Sequence, residues 1–393
     1  MSIQVEWIDW TEPSKRPEIR RHWDELYDRS TVRQPTSRFE HVELWFDCFA
    51  PNARREALVV EENGRWLAVA PLIKTRLCGV LPAWEVPYSF WTPSPEMLID
   101  AEQHREPALI GSLLHGMMRN GRWLVRANEL LGDSSFVQQL EGALAKSDYE
   151  HDWNTRYEIG KVPIHGVGAP VDWADFQRQL SGNFRRQMRK TLNRVEREGG
   201  VEMQIVRPTS GEEAKPWVLA GFELEHRGWK GANQTSIMSQ PKIAEFFCRQ
   251  ADLLAARNKL IIANLLFKGE LIAFEYGFRF KRTYFSPKIA YDENYSRLSP
   301  GHLLMHLWIE RMYSEDEFDC YDFTGPITEA TAKWSFSTYP VKRLVTGTGW
   351  VGNQVIEAAR LARQAKSGWD TWRQKLRPAR EQAPAGLPAE ANL

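Results

Sequence analysis

The chain has 393 residues, 42% of them apolar and 12% aromatic, with 51 lysines and arginines balanced by 51 aspartates and glutamates. That length points to two domains with real hydrophobic cores and excludes a wholly disordered chain, while the balanced charge supplies no global attraction to nucleic acid or membrane. Four scattered cysteines (Cys48, Cys78, Cys248, Cys320) include no CxxC pair, so they read as reduced thiols and not as a disulfide framework or zinc site.

Residues 1–10 are acidic and lack the apolar run of a signal peptide, and no stretch reaches the roughly 18 apolar residues that span a bilayer. The expected location is the cytoplasm. Apolar spacing predicts helices over 20–29 (Trp23, Leu26, Tyr27) and 38–49 (Phe39, Val42, Trp45, Phe46). Strands at 57–60 and 66–73 flank Asn63-Gly64, a hairpin signature. A Pro-, Trp- and Tyr-rich loop follows over 81–95, then a helix at 107–120, a strand at 123–125 and a helix at 134–145. Residues 160–170, rich in glycine and proline, mark the expected domain boundary. Beyond it lie helices at 172–198, 217–226 and 241–257, and strands at 260–267, 270–280, 283–290 and 319–323. Both halves run from helices to a hairpin and on to further strands and helices, a hint of internal duplication. A helix over 353–377 carries Trp369 and Trp372, and the tail from Pro378 has the composition of disorder.

The most informative stretch is 260–334. Its loop, residues 291–301, ends in Ser299-Pro300-Gly301 and opens a helix that begins at His302. The first amides of a helix lack intrahelical acceptors and lie at the positive end of its dipole, so this loop predicts a phosphate or pyrophosphate site. The ordinary alternative is a plain helix cap.

Several motifs occur in a telling order: Arg185 and Arg189 in a long helix, Gly228-Trp229-Lys230-Gly231, the hairpin at 261–280, the loop YDENYSRLSPGHLL, then YDFTG and KWSF. Over residues 170–345 this order resembles the GNAT acyltransferase superfamily, in its FemAB-like branch, also labelled BioF2-like or cellulose-biosynthesis-type acetyltransferases. The resemblance implies an α/β fold of two tandem GNAT-like domains, each a mixed, mainly antiparallel sheet flanked by helices. It implies a degenerate first domain over 1–165, a catalytic one over 166–347 and a C-terminal helical extension and tail over 348–393. The coenzyme A pyrophosphate would lie on Arg297, Leu298, Ser299, Pro300, Gly301, His302 and Leu303. This loop lacks the second glycine of the usual Gln/Arg-x-x-Gly-x-Gly/Ala pattern. Acyl-CoA and aminoacyl-tRNA, the donor of peptidoglycan-bridge members, therefore both stay open.

Asp322, at a strand end, is the candidate to take a proton from an attacking amine; its alternative is a capping role. Tyr291, Tyr295 and Tyr321 are candidates to protonate a departing thiolate, against a packing role. Lys333 could steer an oxyanion or anionic acceptor. Trp334, Trp229 and Lys230 would contact substrate, the last two from a mobile loop, as the resemblance implies. Arg185 and Arg189 lie one helical turn apart on a basic helix that would grip donor phosphates, an anionic glycan or RNA, unless it is a solvated face. His302 and His306 have the spacing of helical metal ligands, but no third ligand declares itself and no metal is expected. Gly-x-Ser-x-Gly and Walker patterns are absent. The expected activity is transfer of an acetyl or acyl group to an amine of a polysaccharide, envelope or secondary-metabolite precursor. Aminoacyl transfer from tRNA and a non-catalytic binding protein of a polysaccharide-synthesis system are the alternatives.

Overall fold

The computed structural model describes residues 3–77, 79–101, 106–119 and 124–376. In the first half β1 (Gln4–Asp9), α1 (Arg16–Arg29) and α2 (Phe39–Phe49) precede the hairpin β2 (Glu56–Glu62) and β3 (Arg65–Leu77). Then come β4 (Leu81–Glu85), β5 (Leu98–Ile99), α3 (Glu106–Met117), β6 (Leu124–Leu131), α4 (Ser135–Ala145) and β7 (Glu150–Pro163). The second half has α5 (Trp173–Gln179), α6 (Gly182–Arg197), β8 (Glu202–Val206), α7 (Gly211–Arg227), α8 (Trp229–Ala232) and α9 (Pro241–Ala255). It continues with β9 (Leu260–Phe267), β10 (Glu270–Phe280), β11 (Thr283–Tyr291), α10 (Pro300–Ser314), β12 (Cys320–Pro326), α11 (Glu329–Ala332), β13 (Ser337–Gly347) and α12 (Gly349–Leu376).

Local chemistry accounts for much of this. The β2–β3 turn places Asn63 and Gly64 at φ 54° and 77°, the left-handed pair that a two-residue hairpin needs. In α6 the buried residues Phe184, Met188, Thr191 and Val195 form one stripe, and Ser181 caps its start by accepting from the Phe184 amide. The expected helix over 172–198 is therefore two helices, broken at Leu180 and Ser181. The expected loop over 81–95 contains β4, and 160–163 belongs to β7.

All the strands except β5, which pairs with β3, lie on one path: β1-β2-β3-β4-β6-β13-β7-β12-β11-β10-β9-β8. Read from either end, this order is the same. β1 answers to β8, the β2–β3 hairpin to β9–β10, β4 to β11, and β6 to β12. The parallel contacts also match, β4 with β6 and β11 with β12. The centre departs from simple tandem packing, because the last strands of the two halves are exchanged. β7 pairs with β12 of the second half, β13 pairs with β6 of the first, and the two pair with each other from Ser337↔Lys161 to Gly347↔Glu150.

Alternation along the strands divides the core between the two faces. Phe274, Tyr276 and Phe285 join a cluster with α1, α2, α7 and α9, whereas Ala273 and Tyr284 face α6 and α10. In the first half α3 and α4 cover that second face. The result is an α/β protein whose mixed, mainly antiparallel sheet is flanked by helices. No helix of the described residues is long and apolar enough to cross a membrane. The expected disordered tail lies outside the described residues.

Candidate active site

The parallel contact of β11 with β12 spans only Thr283↔Cys320, Tyr284↔Tyr321 and Phe285↔Asp322. Beyond it β11 runs on to Tyr291 while β12 stays with β7, so the strands splay and the β12-facing edge of β11 has no strand partner. At the same point the β10–β11 register jumps from Phe278↔Phe285 to Tyr276↔Lys288. Two residues, Ser286 and Pro287, thus stand opposite Gly277 in a β-bulge, and such bulges re-aim backbone groups beside sites. In the first half β4 ends at Glu85 with its parallel contact, and the β3–β4 register has no shift. Among the described residues, only the second half combines this splay with a bulge in the neighbouring strand pair.

From Tyr291 the chain turns through 293–298 into α10. Asp292 accepts from the Asn294 amide at 2.9 Å, and Ser299 adopts φ 49°, ψ 54° before Pro300 starts the helix. Leu298, Pro300 and Leu303 are buried and anchor the loop. The amides of Gly301 and His302 have no acceptor among the described residues. A Cβ on Gly301 would meet only Tyr291, at 3.6 Å, so the approach to these amides is open. Arg297 is held by Glu198 at 2.7 Å, and Arg194 donates to the Arg297 carbonyl at 2.5 Å, which ties α6 to the loop. The His302 ring accepts at Nδ1 from Trp334 Nε1 at 3.0 Å, and burial pushes its pKa down to about 4.

Asp322 is buried at the apex of the splay. Its Oδ1 accepts from the Thr324 amide at 2.7 Å and its Oδ2 from the Tyr339 hydroxyl at 2.8 Å. Burial raises its pKa to about 6, against the lowering effect of Tyr339, Thr324, Arg33 and Lys161. Tyr339 belongs to the exchanged strand β13. The first half has a counterpart, in which Tyr157 of β7 donates to buried Glu129 at 2.8 Å. Burial pushes Glu129 up to about 7.

The other candidates fall in different places. Tyr291 is 42% exposed beside Gly301, at the mouth of the cleft. Tyr295 donates to Glu270 on the far side of the loop and packs on Phe267, which turns it away from the splay. Tyr321 is buried and donates to Glu275 at 2.7 Å. Lys333 is exposed, its ammonium 5.9 Å from the centre of the Phe184 ring and near His302. Trp334, expected to touch substrate, is fully buried between Phe184 and Phe176, so it is a core residue that holds His302.

Trp229 is 48% exposed and its amide donates to Glu293 at 3.0 Å, while Lys230 pairs with buried Glu225 at 2.6 Å. The two lie in the short helix α8 and not in a loop. A Cβ on Gly231 would stand 1.7 Å from the His226 carbonyl, so the α7–α8 junction requires glycine there. Arg185 and Arg189 are exposed on α6 with Arg186 and Lys190, and none of the four has a carboxylate partner among the described residues. His306 is buried, edge-on to Trp173 at 4.9 Å, and no cluster of three or more metal-ligating side chains occurs among the described residues.

Sequence reasoning missed Glu275 and the bulge. Glu275 is buried on β10 with Tyr284, Ser286 and Tyr321 around it, and burial raises its pKa. Its neighbour Gly277 makes room for Tyr284, whose hydroxyl would lie 2.1 Å from a Cβ there. A register was needed to see this, and local pattern does not supply one.

Residues 182–333 match the family described as the acetyltransferase (GNAT) domain. The match begins with α6 and takes in the splay, the bulge, the loop and α10. That match lies wholly within the second half of the chain. None of the curated proteins matches the chain. Among solved structures, a conserved protein of unknown function from Bacteroides thetaiotaomicron is similar at TM-score 0.52 and 13% identity, over 88% of this chain and 100% of that one. The C-terminal domain (DUF2156) of a putative lysylphosphatidylglycerol synthetase from Agrobacterium fabrum follows at 0.50 and 11%, over 88% and 96%. FemX is similar at 0.47 and 12%, over 90% and 99%. At these identities the likeness concerns the fold alone.

Proposed function

We propose that this chain is an N-acyltransferase that moves an acetyl or other acyl group from acyl-CoA to an amine. The observation that carries the reading is the bulged splay of β11 from β12, facing an uncovered α10 N-terminus inside the segment that matches the GNAT family. A pyrophosphate suits the free amides of Gly301 and His302, and a thioester carbonyl suits the bulged edge of β11. The amine attacks the carbonyl carbon, the C–S bond breaks, and the thiolate leaves and takes up a proton. The amine proton passes to the Asp322 carboxylate, directly or through Tyr339. Tyr291, exposed beside Gly301, then protonates the thiolate in this reading.

In this reading residues 166–347 form the catalytic unit, 1–165 a degenerate copy without the splay, and 348–393 an appendage. The exchange of β7 and β13 welds the first two together. The acceptor class we favour is an amine of a polysaccharide, envelope or secondary-metabolite precursor, and the cytoplasm is the proposed location. The test is thiol release from acetyl-CoA in the presence of amino sugars, amino acids and diamines, with Asp322→Asn beside the parent. Amine-dependent release that falls in the variant supports the reading; release that no amine stimulates counts against it.

One observation favours aminoacyl-tRNA as the donor instead. The unpaired cations of α6 stand beside the donor loop, tied to it by Arg194, where an RNA backbone could lie. That reading predicts tRNA binding that weakens steeply with salt.

A further inference from the structure

A second cavity lies at the other end of β11 from the donor loop, where the two halves meet. Its volume is about 460 Å³, and its wall includes Arg38, Arg257, Lys259, Lys281, Tyr27 and Phe280. Asp28 is the one carboxylate in that wall. Nine residues of β11, about 30 Å of strand, separate Lys281 from the loop that precedes α10.

The charges in this wall are not balanced. Arg38 is held by Asp28 at 3.0 Å and Asp24 at 3.2 Å, and Arg257 by Glu40 at 2.6 Å. Lys281 donates to the carbonyls of Tyr27 and Ser30 at 2.9 and 2.6 Å, closing the C-terminal end of α1 without meeting a carboxylate. Lys259 has no ion pair among the described residues; its ammonium lies 5.8 Å from the Phe280 ring centre. Two ammonium groups therefore share a cavity with two already paired guanidinium groups. Burial and the neighbouring cations Arg279, Arg38 and Arg257 lower the Lys259 pKa, and burial lowers Lys281 to about 8. Like charges gathered in a partly desolvated space are costly unless an anion joins them. The space holds about fifteen water-sized groups, more than a bare phosphate fills.

We propose that this cavity is a binding site for a small phosphomonoester, whose phosphate lies between Lys259 and Lys281 and whose organic part fills the remaining space. Its occupant bridges α1 and α2 of the first half to α9, β9 and β10 of the second, and so tightens the contact between halves. The site is independent of the acyl-donor reading.

The test is calorimetric titration of the full chain at low ionic strength with ribose 5-phosphate and, separately, inorganic phosphate. The variants are Lys259→Gln, Lys259→Arg and, as a donor-loop control, Gly301→Trp. We expect ribose 5-phosphate to bind more tightly than inorganic phosphate, with affinity about tenfold weaker in Lys259→Gln. Affinity should be restored in Lys259→Arg and unchanged in Gly301→Trp. Because Lys259 makes no ion pair among the described residues, Lys259→Gln should keep the parent's unfolding midpoint without ligand, which separates lost binding from lost folding. Absence of binding, binding indifferent to Lys259, or binding lost in Gly301→Trp would overturn the proposal.

Discussion

Asp322→Asn is predicted to stabilise the protein at alkaline pH while it removes activity. Burial raises the Asp322 pKa from 3.8 to about 6. A rise of that size means that ionising this group costs the fold about 3 kcal/mol. For an acid raised in the folded state, stability is fully present below the unfolded pKa, near 4, and is lost as pH rises through about 6. Asparagine stays neutral and escapes that loss. It keeps the acceptor for the Thr324 amide but makes a poorer partner for Tyr339, a cost of about 1 kcal/mol. The net gain at pH 8 is then about 2 kcal/mol, and at pH 4 the variant is slightly less stable than the parent. Urea unfolding of both proteins at a series of pH values measures the difference, in which all other titrating groups cancel. A difference that does not change between pH 4 and pH 8 would sink the prediction, and Asp322 would then be an ordinary ionised carboxylate.

Gly277→Ala should cost about 1–3 kcal/mol by forcing its Cβ into the Tyr284 hydroxyl, whereas Gly301→Ala, which meets only Tyr291 at 3.6 Å, should stay within about 0.5 kcal/mol; denaturant midpoints compare them. His302 and His306, both pushed down from 6.5 to about 4 by burial, contribute stability that is present above pH 6.5 and lost as pH falls toward 4. Each ring accounts for at most on the order of 3 kcal/mol, and a His302→Gln/His306→Gln double variant should flatten that part of the acid unfolding curve.

Local periodicity made the β2–β3 and β9–β10 hairpins legible, because alternating apolar residues flank turn residues with left-handed φ. It also marked the start of α10, but it ended the strand that carries Asp322 at residue 323, whereas β12 runs on to Pro326. It could not find β7 or β13. In β7, polar residues such as Asp152, Asn154, Arg156 and Lys161 break the apolar alternation, and Asp152 and Lys161 have ionic partners in Arg363 and Asp133. Both strands take their neighbours from the opposite half, which no sequence window contains. Register hid the Tyr339–Asp322 and Tyr157–Glu129 pairs for another reason: each lies within one half but joins strands that are not neighbours in the sheet. Trp334 misled for a different reason: a motif position says nothing about burial, and this ring is sealed in the core.

The proposed activity stands or falls with the β11–α10 loop of the second half as the seat of an acyl-CoA diphosphate. Calorimetric titration of the purified chain with acetyl-CoA, with Gly301→Trp and a tRNA titration in parallel, is the decisive experiment. Saturable acetyl-CoA binding that Gly301→Trp abolishes is the expected result. Salt-sensitive tRNA binding with no response to acetyl-CoA would overturn the assignment.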